Sequence, residues 1–92
     1  MTALILTLLL GNISSIDSIC HRAEFLLFNR HLAPDYLDSA YQLLARARQT
    51  APQNEKVLYL WSRIHTQLGE DEKKPELKLR LFERAKAIAE TL

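Results

Sequence analysis

Cys20 and His21 are neighbours, and Glu24 follows the cysteine by one helical turn. A thiol, an imidazole and a carboxylate are the raw material of nucleophilic catalysis. The spacing works against it. Adjacent residues on a helix project about 100° apart, so Cys20 and His21 cannot form a nucleophile–base pair, and Glu24 adds no base able to activate a thiol. A single cysteine also excludes an intramolecular disulfide and a Cys-x2-Cys zinc site. It reads as a small packed hydrophobe. The acidic run Glu70-Asp71-Glu72 lacks the Asp-x-Asp-x-Asp-Gly order of a calcium loop and reads as a solvated segment. Two glycines cannot build a phosphate cradle, and a net charge of +1 is too small for a large phosphate-binding surface. The expectation is a non-enzymatic protein with no metal, no cofactor and no nucleic-acid partner.

The elements that carry these residues are helical. With 48% apolar residues and three prolines in 92 residues, the chain has the composition of one small ordered domain rather than of a disordered segment. Apolar spacing predicts five helices. The first runs over about Ala3–Ile13, extending at most to Ile16. Asp17 or Ser18 caps a second that reaches about Leu32. Asp35, with Asp38 three residues on, opens a third that ends near Thr50. Asn54 caps the fourth and Gly69 supplies its C-terminal stop. Pro75 suits the first turn of a fifth that ends near Thr91. Leu27, Phe28 and His31 share one face, as do Leu58, Trp61 and His65, and Leu81, Phe82, Ala85 and Ile88.

Ala40, Leu44, Ala47 and Pro52, followed by Leu58, Trp61, Ser62 and His65, have a recurring spacing. The alanines allow two helix axes to approach, Leu44 fills the space between them, and Pro52 ends the helix and turns the chain. A shift of 34 places Arg22 on Lys56, Leu27 on Trp61 and His31 on His65. A shift of 38 places Leu43 on Leu81, Leu44 on Phe82, Arg46 on Arg84, Ala47 on Ala85, Arg48 on Lys86 and Ala51 on Ala89. The additional residues fall in the charged segment Asp71–Glu76. The pattern resembles the tetratricopeptide (TPR) repeat, a unit of about 34 residues in two antiparallel helices. It departs from that repeat at Glu24, where a large apolar residue is preferred, at Phe28, where a small one is, and at Lys78, which replaces the small residue that Ala40 supplies earlier. The charged loop followed by Leu81-Phe82-Glu83-Arg84-Ala85 also looks like the TPR-like proteins grouped with regulators of microtubule dynamics and with bacterial transporter-associated periplasmic TPR proteins.

The resemblance implies an all-α, right-handed stack of TPR-like helix pairs, with pairs at about 18–52 and 54–92 in a single domain spanning 1–92. It also implies a concave groove lined by the first helix of each pair. The matching positions are Arg22, Phe25, Asn29, Leu32 and Ala33, then Lys56, Tyr59, Arg63, Thr66 and Gln67. Each set advances by three or four residues and so shares a face. Arg22, Lys56 and Arg63 beside Phe25 and Tyr59 would suit a protein or peptide with carboxylates. A polar face that is merely solvated is the plainer alternative.

Met1–Cys20 contains no Lys or Arg, and Ala3–Leu10 is interrupted only by Thr7. The run is shorter than the roughly 20 apolar residues of a membrane span. Leu6, Leu9, Ile13, Ile16 and Cys20 form a stripe at alternating steps of three and four, as in a packed helix. A signal peptide or membrane anchor is the alternative, which the missing basic n-region argues against. Repeat stacks generally need about three units. The expectation is therefore a cytoplasmic interaction module or adaptor, self-associating as a homo-oligomer through Leu6, Leu9, Ile13 and Ile16. The competing reading is an exported or membrane-tethered accessory protein of a transport system.

Overall fold

The computed structural model describes the backbone of residues 2–92 and the side chains of residues 15–92. Helices α1 (Thr2–Phe28), α2 (Tyr36–Thr50), α3 (Glu55–Asp71) and α4 (Pro75–Glu90) follow one another, with a 3-10 turn at Arg30–Leu32 and no strand among the described residues. Each helix packs on the next, and α1 also touches α3. The connections between α2 and α3 and between α3 and α4 are only a few residues long, so these neighbours run antiparallel.

The start of the chain corrects the expected five helices to four. No break occurs near Ile13–Asp17: α1 runs unbroken from Thr2 to Phe28. Ile16, Cys20, Ala23 and Leu27 continue one buried stripe through Asp17 and Ser18. A capping residue acts only where the chain leaves the helix, and here the apolar phase never breaks. The helix also stops a turn before Leu32. The Asn29 side-chain amide donates to the Phe25 carbonyl at 2.8 Å, and Arg30 Nη1 donates to the Leu27 carbonyl at 3.0 Å. Pro34 then holds Ala33 extended, at φ −153° and ψ 142°.

The other boundaries follow local chemistry. Asn54 Oδ1 accepts from the Val57 amide at 3.1 Å, and Pro75 occupies the first turn of α4. Asp35 precedes α2 without a side-chain capping bond. Gly69 is not a stop, because α3 continues to Asp71 and Gly69 is buried within it. A Cβ at position 69 would lie 2.7 Å from the Phe82 ring, so the glycine lets α4 approach. Lys78, the large residue in a position expected to be small, reaches back across that junction. Its ammonium donates to the Glu70 and Glu72 carbonyls, each at 3.4 Å, at the C-terminal end of α3, where a cation is favoured.

The core is the stripe of α1 together with Ala40, Leu44 and Ala47 from α2, Val57, Leu58, Leu60, Trp61 and Ile64 from α3, and Ile88 from α4. Ala40, Leu44 and Ala47 are completely buried, as their spacing requires. Leu6, Leu9 and Ile13 lie outside the residues whose side chains are described; Ile16, the last of that set, is buried. No helix among the described residues is long and apolar enough to cross a membrane.

Candidate functional site

The outward face of α3 carries Lys56, Tyr59, Arg63, Thr66 and Gln67, all wholly or partly exposed, as their spacing predicts. Buried Val57, Leu60 and Ile64 turn the opposite side of the helix inward and so fix this rotation. The α1 side differs from expectation. Glu24, Leu27 and Phe28, rather than Arg22 and Asn29, approach α3. Lys56 Nζ donates to Glu24 Oε2 at 2.5 Å, and Arg63 lies 5.8 Å above the Phe28 ring centre. Leu27 and Arg30 line a small cleft with Arg63, Thr66, Gln67 and Glu70.

Arg22 instead lines a groove against α2 together with Asp35, Asp38 and Arg46. Phe25 stacks obliquely on Tyr36, also of α2, with ring centres 6.4 Å apart. Asn29 is occupied in ending α1. The expected single row of three cations is therefore divided. Lys56 is neutralised by Glu24, and that hydrogen bond raises the lysine pKa above its usual value. Arg63 makes no salt bridge among the described residues.

Exposed aromatic surface accompanies the cations. Phe25 is 49% exposed, Phe28 47% and Tyr59 43%, with Leu32 beyond them at 62%. Arg22 lies over Phe25 at 5.9 Å, and Lys56 over Tyr59 at 5.8 Å. Phe28, expected on the buried face with Leu27, is the aromatic residue that the sequence reading misassigned. The signal was its size at a position where the repeat favours a small residue.

On the other side of α3 lies a different cluster. His65 is fully buried, and its Nδ1 donates to the Trp61 carbonyl at 2.7 Å, which leaves Nε2 as the unprotonated nitrogen. Nε2 is buried with no hydrogen-bond partner among the described residues. The His65 ring meets Trp61 edge-on at 4.5 Å, and Tyr41 stacks on Trp61 at 5.1 Å. Burial lowers the imidazole pKa below 6.5; the Trp61 carbonyl offsets part of this, and the fields of Arg84 and Arg48 add to the lowering. His31, its repeat-equivalent, is exposed in the 3-10 turn because α1 ends before reaching it.

Beside this cluster, α2, α3 and α4 enclose an open groove of about 490 Å³. Leu58, Trp61, Ala87 and Ile88 form its apolar part, and Arg48 and Arg84 its charged part. Cys20 is buried in the core, which pushes its thiol pKa up and away from nucleophilic use. Among the described residues no group of His, Cys, Asp and Glu is placed to hold a metal ion. The chain matches no protein-family profile, no curated protein and no solved structure.

Proposed function

We propose that this chain is a non-enzymatic protein–protein interaction module made of TPR-like helix pairs, α1 with α2 and α3 with α4, and that it self-associates. The observation that carries the reading is the exposed aromatic and cationic surface shared by α1 and α3. Phe28 under Arg63 and Tyr59 under Lys56 leave large rings in water on this face, each with a cation close by, while Phe25 beside Arg22 is exposed on the α2 side of α1. Aromatic residues and arginine are enriched where proteins meet, and an exposed apolar cluster of this kind marks a binding surface. The fitting partner is a protein segment with carboxylates. Arg63 is the central residue, because Lys56 already holds Glu24.

The test is an affinity capture with the wild-type chain, identification of the bound protein by mass spectrometry, and a titration of that protein. Arg63→Glu should weaken binding by roughly tenfold, about 1.4 kcal/mol, while the melting curve stays unchanged. Added salt should weaken the wild-type complex as well. An affinity indifferent to both the charge reversal and salt removes this face from consideration.

A further inference from the structure

The groove between α2, α3 and α4 has a composition that core packing does not require. Arg48 of α2 and Arg84 of α4 are exposed and line one groove over an apolar floor of Leu58, Trp61 and Ile88. Neither arginine makes a salt bridge among the described residues. Residues 1–16 contain no Asp or Glu that could supply one. Both fields fall on the same place, since each acts on buried His65. Arg48 lies 5.9 Å from the centre of the Trp61 ring, so its guanidinium sits over the floor while remaining accessible to solvent. Two cations from separate helices thus line one apolar surface, and neither has a salt-bridge partner among the described residues.

We propose that this groove is a second binding site, which accepts a protein segment pairing a carboxylate side chain with an adjacent large apolar one. The carboxylate lies between Arg48 and Arg84, where guanidinium groups bind carboxylates in planar, charge-assisted pairs. The apolar side chain rests on Leu58, Trp61 and Ile88. A volume of about 490 Å³ open to solvent has room for these groups while the rest of the segment passes outside. Small-molecule sites instead enclose most of their ligand. The site goes beyond the α1–α3 face and does not depend on it, because Trp61 and Arg63 differ by about 200° around α3.

Trp61 is the chain's single tryptophan, so its fluorescence reports on the groove directly. The probes are blocked dodecapeptides that place glutamate next to leucine or phenylalanine, with glutamine-substituted versions as controls and dodecanoate as a small-molecule carboxylate. Acidic peptides should shift Trp61 emission saturably and bind at least tenfold more tightly than the glutamine versions. Arg48→Gln and Arg84→Gln should each weaken binding severalfold, and Arg84→Lys less than Arg84→Gln. Arg46→Gln, an equal loss of charge on α2 outside this groove, should leave it unchanged. Melting curves of all variants identify any that fail to fold, in which case Arg84→Lys carries the comparison. Equal binding of acidic and glutamine peptides overturns the proposal. So does saturable binding of dodecanoate alone, or an Arg46→Gln effect as large as that of Arg48→Gln.

Discussion

His65 shows what one buried side chain contributes. Its Nδ1 proton is held by the Trp61 carbonyl, while Nε2 has no partner among the described residues. Protonating Nε2 would place a charge in the core next to two arginine fields, so the folded pKa lies below the unfolded value of 6.5. The unfolded chain therefore binds the proton more readily. The stability from neutral His65 is fully present above about pH 6.5 and is lost as the pH falls through and below that value. The melting temperature at pH 5 should be lower than at pH 7.5, and His65→Phe should flatten this dependence. An equally steep dependence in the variant would assign the acid sensitivity to other groups. Trp61, only 7% exposed, contacts His65 and Tyr41 and joins the two halves of the core. Trp61→Ala should cost about 3–5 kcal/mol and lower the thermal midpoint sharply or leave the protein insoluble.

At the scale of elements, the α3–α4 pair depends on a close approach at Gly69. The missing side chain accommodates Phe82, whose ring carbons would stand 2.7 and 2.8 Å from an added Cβ. Ser62 Oγ donates to the Ala85 carbonyl at 2.8 Å further along the same contact, and Lys78 ties α4 to the carbonyls that end α3. Gly69→Ala should destabilise the protein by about 1–3 kcal/mol through overpacking, despite alanine's better helix propensity. Phe82→Leu added to Gly69→Ala should recover part of that loss. Denaturant titrations of the four proteins in this cycle give the coupling directly, and purely additive effects would show that the ring does not oppose the new methyl group.

For the whole molecule, the decisive segment is the N-terminal half of α1. It is continuous with the buried stripe at Ile16 and Cys20, and its sequence is strongly apolar. Burying a single leucine or isoleucine is worth about 1.5–3 kcal/mol, so a solvated apolar run would drive association. Under the self-association reading, deleting Met1–Ser15 should lower stability or reduce the mass measured by light scattering. If the mature natural protein instead begins near Ile16, or the truncated protein keeps both stability and mass, the segment is a targeting element. The exported accessory reading would then take precedence.

Some of this architecture was written in the sequence because its signals act over a few residues. The starts and ends of α2 and α4, the Asn54 cap, the turn at Pro52 and the buried spacing of Ala40, Leu44 and Ala47 depend on neighbours within a turn or two. The burial of Trp61 and His65 followed from the same periodicity, as did the outward set on α3. What only tertiary structure decided involves residues far apart in the chain. The unbroken α1 overrode the local caps at Asp17 and Ser18, and its rotation turned Glu24 and Phe28, not Arg22 and Asn29, toward α3. Gly69 looked like a helix stop until Phe82 came to lie against it. Arg48 and Arg84, 36 positions apart by subtraction, meet at one groove because α2 and α4 flank the same side of α3. Periodicity determines which side of a helix is buried. Which residues meet across the boundary depends on the angle and depth at which whole helices settle together.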